Sequence, residues 1–146
     1  MVRPNRNPKL SDYIKELTGI EQSLIDDHGI DFESCAKQFM EFNELGSIRC
    51  LSWGADRKIL SENYRLNGLE WDYHPQTFVD LKHRLFKLGL DYRKVPSGGL
   101  ADAVDVELEG HIHNALYDVK SIAAFLNELI LTEKLSVEGV LSDQSF

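Results

Sequence analysis

Apolar residues recur every three or four positions in two segments of the chain, which is the pattern of an amphipathic helix. The first segment follows Asp31, a residue type that favours the N-cap position. Its apolar stripe consists of Phe32, Cys35, Ala36, Phe39 and Met40. The second segment lies near the C-terminus, and its stripe consists of Leu116, Val119, Ala123, Leu126 and Ile130. We therefore predict two principal helices, each with one face directed at a core.

Two shorter segments have the composition of β-strands. Residues 48–53 and 76–80 combine β-branched and aromatic side chains, and a polar, amphipathic helix is predicted between them, over about 56–66. A basic helical segment follows the second strand, and residues 100–108 predict a further short helix. This alternation predicts an α/β fold with helices packed on a small mixed sheet. Two strands alone are too narrow for so many helices, so the pattern indicates a sheet from which strands are missing.

The composition indicates one globular domain and argues against two functional classes. A chain of 146 residues, 42% of them hydrophobic, has enough apolar material for a single core. The net charge of -8 argues against a protein that coats nucleic acid with a basic face. It does not exclude a nucleic-acid enzyme, because the carboxylates of a metal site make a chain acidic while the metal ions supply the positive charge that meets phosphate. The longest apolar stretch, within 122–131, is interrupted by Asn127 and Glu128 and is much shorter than the roughly 20 residues of a membrane span. We expect no membrane segment.

The cysteines and the chain ends indicate a location and a domain boundary. Cys35 and Cys50 stand in apolar contexts without metal-ligand spacing, and the first ten residues lack an apolar signal-peptide core. We therefore expect reduced thiols and a cytoplasmic protein. We assign residues 1–134 to the domain and residues 135–146 to a flexible tail.

Five short strings carry a family resemblance. They are "LTGI" at 17–20, "SWGADRKIL" at 52–60, "FVDLK" at 78–82, "GLADAV" at 99–104 and "HNALYDVKSIA" at 113–123. In this order they resemble the successive motifs of the DnaQ-like DEDDh 3'-5' exonucleases, in particular the Eri and KapD branch. The resemblance covers about residues 4–130. It implies a ribonuclease-H-like fold and an enzyme that removes nucleotides from the 3' ends of single-stranded RNA or DNA.

The resemblance also implies which residues carry the chemistry. In that family four acidic residues hold two divalent metal ions, and a histidine acts as general base on the attacking water. Asp56 matches the third acid, His113 the base and Asp118 the fourth acid, so we expect these three residues to lie together. Carboxylate oxygens suit Mg²⁺ or Mn²⁺. A histidine, whose unperturbed pKa is about 6.5, can accept a proton near neutral pH.

Basic residues near these motifs are candidates for binding the substrate. Arg57, Lys58 and Lys82 are interpreted as a rim that contacts the phosphate backbone of a nucleic acid. For Lys82 and the basic residues that follow it, the sequence favours the alternative of a solvated helix face.

Two features depart from the family pattern. The resemblance places Met1 at about the end of the third family strand, so we expect the opening strands and the first two acids, an Asp-x-Glu, to be absent. The string "DFE" at 31–33 has the same spacing as that motif but lies at a predicted helix start. The second departure is that Gly54 is one residue closer to Asp56 than the family pattern requires. Two functions therefore stay open: an exonuclease completed by a separate segment or a longer chain, and a non-catalytic binding module.

The expected absence of strands also predicts association. It leaves the strand at 48–53 as a sheet edge with unpaired backbone groups. Such an edge pairs with a second copy, in a two-fold homodimer, or with another polypeptide that supplies the strands and the acids. We expect the homodimer, and single-stranded nucleic acid is the candidate ligand.

Overall fold

The computed structural model describes residues 1–73 and 77–141, which form two compact units. Unit 1 comprises Met1–Cys50 and Asp56–Phe78, and unit 2 comprises Leu51–Ala55 and the chain from Val79 onwards. The helices are α1 (Asp12–Thr18), α2 (Gln22–His28), α3 (Phe32–Phe42), α4 (Asp56–Leu66), α5 (Leu81–Lys87), α6 (Ala115–Leu131) and α7 (Val137–Leu141). The strands β1 (Cys50–Ser52) and β2 (Phe78–Asp80) form a small parallel sheet. The predicted α/β fold class is confirmed.

Local hydrogen bonds explain where α1 and α3 of unit 1 begin. The Ser11 hydroxyl accepts from the main-chain N–H of Ile14 at the start of α1, and the Asp31 carboxylate accepts from that of Ser34 at the start of α3. The predicted stripe of α3 contributes Ala36, which is buried, to a cluster with Tyr64 and Tyr73. Unit 1 therefore has an aromatic core.

The core of unit 2 is built on α6, but on a different face from the predicted one. The buried line of α6 consists of Tyr117, Ser121, Phe125 and Leu129. Of the predicted stripe, Leu126 and Ile130 pack at the edge of this core, whereas Leu116 and Val119 are 64% and 61% exposed. The buried hydroxyl of Ser121 accepts from the main-chain N–H of Ala101 at 2.9 Å, which directs this face inward. Because α6 is apolar on most sides, periodicity alone did not distinguish the two faces.

Two further predictions differ from the structure. The helix predicted over 100–108 is only a 3-10 turn, Asp102–Val104, since Asp105 adopts a left-handed conformation with φ 59° and ends it. Residues 135–141 of the predicted flexible tail are folded: α7 is a helix, and Leu135 and Val140 are buried in the core of unit 2. Residues 142–146 and residue 76 of the second predicted strand lie outside the described residues. No helix in the described ranges is both long and apolar enough to span a membrane.

Candidate functional site

The N-terminal end of α6 positions His113 and Asp118. The Asn114 side chain caps the helix by accepting from the main-chain N–H of Leu116 at 3.1 Å. His113 precedes this cap with φ 72°, a left-handed conformation that few non-glycine residues adopt. Asp118 stands in the first turn, and its Oδ1 accepts from the main-chain N–H of His113 at 3.2 Å. This hydrogen bond holds the loop before α6 against the helix and leaves the exposed imidazole unrestrained by it.

A second segment of unit 2 holds the other oxygen of the same carboxylate. Ser97, in the 3-10 turn Ser97–Gly99, donates its hydroxyl hydrogen to Asp118 Oδ2 at 2.9 Å. The backbone of buried Gly98 passes so close that a Cβ built there would lie 2.7 Å from Asp118 Oδ1. The half-buried Asp118 is therefore fixed from two sides, as a functional carboxylate requires.

A substitution at Gly98 tests this packing. A Cβ at Gly98 would also lie 2.8 Å from Ile112 Cγ2, so Gly98→Ala must displace Asp118 or the loop before α6. We expect it to lower the free energy of unfolding by about 1–3 kcal/mol, measured by urea denaturation. Gly99→Ala is the matched control, because its Cβ would meet Pro96 and Val95 at ordinary distances of 3.4–3.6 Å. Equal stability of the two variants would contradict this account.

The structure brings together some of the predicted site residues. His113 and Asp118 are in direct contact in unit 2. Asp56 is the exposed first residue of α4 in unit 1, followed by exposed Arg57 and Lys58. The meeting of Asp56 with His113 and Asp118 stays a prediction.

Lys82, a predicted substrate-binding residue, lies in unit 2. Lys82 places its Nζ 5.6 Å from the centre of the Trp53 ring, a cation–π contact, so its side chain already has a partner within the protein.

Ser97 is a site residue that sequence reasoning missed. The string "PSGG" at 96–99 indicated only a break between helices, and no local signal connects it with a carboxylate 21 residues further on.

The site suits a divalent metal in chemistry but not in number of ligands. Asp118 offers hard oxygen atoms, and each of them retains acceptor capacity beside its one hydrogen bond. Across residues 1–73 and 77–141, however, no three His, Cys, Asp or Glu side chains form a group that can hold a metal ion. The described residues therefore do not by themselves build a two-metal centre.

Comparisons with known proteins identify relatives of this chain. No family model matches the chain. A curated protein of Mus musculus, ERI1 exoribonuclease 2, is 26% identical over 156 residues, a match that covers 88% of this chain and 22% of that protein. The chain thus spans about a fifth of the length of this relative.

Solved structures share the fold. The crystal structure of a full-length 3'-exonuclease has a TM-score of 0.74 and 20% identity over 99% of this chain and 71% of that one. The nuclease domain of 3'hExo, a DEDDh family member solved with bound rAMP, has a TM-score of 0.72 and 22% identity, covering 90% of this chain and 70% of that chain. At these identities the structures establish the fold.

The chain therefore shares the fold of these exonuclease structures. The sequence relative is an exoribonuclease, and the structural relative is a DEDDh nuclease domain. The sequence relative and the structural relatives both support the resemblance of this chain to the DEDDh exonucleases. The family resemblance of the five ordered motifs is confirmed.

Proposed function

We propose that this chain carries part of a 3'-5' exonuclease site that acts on single-stranded RNA. The observation that carries the proposal is the Asp118 carboxylate, held by Ser97 and by the main-chain N–H of His113. A histidine that can act as a base and a fixed carboxylate close to it in the chain are elements that hydrolysis of a phosphodiester uses. RNA is favoured over DNA because the sequence relative is named an exoribonuclease and the 3'hExo nuclease domain was solved with rAMP.

The proposed roles follow the chemistry of each group. His113, exposed in front of α6, takes the proton of the attacking water, and its main-chain N–H donates to Asp118. Asp56 and Asp118 are proposed as ligands for Mg²⁺ or Mn²⁺, which in a complete site lowers the pKa of bound water and neutralises phosphate charge. Exposed Arg57 and Lys58 are proposed to contact the phosphate backbone, with Lys82 as a further contact beside Trp53.

A cleavage assay tests the proposal. The full chain is incubated with a 5'-labelled single-stranded RNA in Mg²⁺, in Mn²⁺ and with a chelator, and the products are separated on a gel. We expect a ladder that shortens from the 3' end, in the presence of metal only, once a longer chain or a separate segment supplies the first two acids. A 3'-blocked RNA of the same sequence serves as the control and is expected to resist. Cleavage at internal positions, or cleavage with chelator, would contradict the assignment.

The second candidate function is a non-catalytic binding module. The observation that favours it is the lack, in the described part of the chain, of a three-ligand group for metal. The two candidates differ in one result, since a module binds the RNA of the cleavage assay but leaves it intact in either metal.

We also propose that the chain forms a homodimer through the edge of β1. In the described sheet β1 has β2 as its neighbour on one side, and Leu51 at its centre is 38% exposed. Unit 2 also exposes apolar Leu116 and Val119 on α6. A strand edge and an apolar helix face are surfaces that a second copy can cover without any other gene product.

Light scattering at micromolar concentration tests the dimer. We expect a mass twice the 16.7 kDa of one chain. Leu51→Lys should shift the mass to that of a monomer, because an edge lysine resists strand pairing. Leu24→Lys in α2, at a leucine of similar exposure, is the control and should stay dimeric. A monodisperse, well-folded monomer of the unaltered chain would refute both the homodimer and the complementing polypeptide, and would mean that another segment of the chain covers the edge.

The cysteines fit the cytoplasmic location that we propose. Cys35 and Cys50 are both free thiols, and each is half-buried. Unpaired cysteines are usual in the reducing compartments of the cell.

A further inference from the structure

Unit 1 contains a cleft that the proposed exonuclease chemistry does not use. Its volume is about 240 Å³. Residues 2–7 form one wall, and the other contains Phe32 at the start of α3 together with Asn63, Leu66 and Asn67 of α4 and its C-terminal end. The cleft is therefore built between the N-terminal segment and two helices of the same unit.

The cleft is cationic in a chain of net charge -8. Arg3 and Arg6 line it, and none of the described residues that line it is acidic. Arg3 donates to the main-chain oxygen of Asp26 at 2.9 Å, a neutral acceptor that leaves the guanidinium charge uncompensated. Among the residues the structure describes, Arg6 makes no hydrogen bond or ion pair. Two guanidinium groups without a carboxylate partner are suited to an anionic ligand.

Hydrogen-bonded asparagine side chains contribute polar groups to the walls of the cleft. Asn5 Nδ2 donates to Asn67 Oδ1 at 2.8 Å, and Asn67 Nδ2 donates to the main-chain oxygen of Asn63 at 2.8 Å. Asn63 Nδ2 donates in turn to the main-chain oxygen of Ile59 at 2.8 Å. Each of these bonds uses one amide hydrogen of Asn5 or Asn63 and leaves the side-chain oxygen of that residue without a partner in the described part of the chain. These oxygens are available acceptors in a cleft that two arginines also line.

We propose that this cleft binds a phosphate and an adjoining base of a single-stranded RNA, as a second contact for the substrate of the proposed exonuclease. Guanidinium groups pair with phosphate oxygens, and fixed amide oxygens accept from the amino groups of an unpaired base. The inference rests on the proposed function for the identity of the ligand. The volume lies below the about 300–1,000 Å³ of sites that enclose small molecules, which suits one unit of a longer strand. An acidic peptide would also satisfy the arginines, and the proposed exonuclease function is what favours RNA over it.

Binding measured without catalysis tests the cleft. The fluorescence anisotropy of a labelled single-stranded RNA is titrated with the full chain in a chelator, so that no cleavage contributes. Arg6→Ala should weaken binding about threefold to tenfold and reduce the salt dependence by about one phosphate contact. Lys37→Ala removes the same charge from an exposed position on α3 outside the cleft, and its affinity should stay within twofold of the unaltered chain. Circular dichroism confirms that both variants are folded.

Each outcome decides between the alternatives. Equal affinities of the Arg6→Ala and Lys37→Ala chains would overturn the cleft as a binding site. Competition by an oligoglutamate peptide as effective as by unlabelled RNA would overturn the nucleic-acid assignment in favour of an acidic peptide. Loss of binding in Arg6→Ala alone supports the cleft. This result does not depend on whether the chain cleaves RNA, so a failure of the exonuclease proposal is recognised separately in the gel assay.

Discussion

Replacing His113 with asparagine is expected to lower the rate of 3'-terminal cleavage by about 10²- to 10⁴-fold, the usual contribution of a general base. Asparagine is the substitution of choice because it tolerates the left-handed conformation that His113 adopts at φ 72°. The hydrogen bond to Asp118 comes from the main-chain N–H of residue 113 and is retained. The variant therefore removes the imidazole while the loop and the carboxylate keep their positions.

The neighbouring histidine provides the control for this experiment. His111 lies two residues away in the same loop, and its Nδ1 stands 2.6 Å from the main-chain oxygen of Ile112. His111→Asn should leave the initial rate of RNA shortening within about threefold, since a surface change away from the chemistry has small effects. The measurement is the initial rate on a 5'-labelled RNA in the metal that gives the most cleavage. Equal losses in the two variants would show that His113 is not the base.

Replacing Phe125 with alanine is expected to lower the free energy of unfolding of unit 2 by about 3–5 kcal/mol. The side chain is fully buried on α6. Its ring makes edge-to-face contacts with Tyr92 at 4.8 Å and with Trp53 at 5.9 Å between centroids. The substitution removes a large apolar group and both aromatic contacts, and the surrounding core cannot close fully around the space.

Val119→Ala is the matched control on the same helix. Val119 is 61% exposed although the apolar pattern of the sequence places it on the buried face. Its truncation should change the free energy of unfolding by less than about 0.5 kcal/mol in urea denaturation followed by circular dichroism. If Val119→Ala proved as destabilising as Phe125→Ala, the assignment of the buried face of α6 would be wrong.

Helix starts and the family could be predicted from the sequence because both depend on short strings. The Asp31 cap accepts from a main-chain N–H three residues away, so a stretch of four residues is enough to predict it. The amphipathic pattern of residues 56–66 likewise coincides with α4 as found. The five ordered motifs predicted the resemblance to the exonucleases that the comparisons support. They also predict the pair His113 and Asp118, five residues apart in one string.

The remaining features depended on contacts between residues distant in sequence. The buried face of α6 was decided by the hydrogen bond between Ser121 and Ala101 and by the packing of Phe125 against Trp53. Because the helix is apolar on most sides, its sequence does not indicate which residues will pack against it. Ser97 joined the site only because a tight turn with Gly98 passes against Asp118. Local hydrogen bonds are encoded within one helical turn of sequence, whereas the choice of a buried face and of a long-range partner is made by packing, which only the tertiary structure shows.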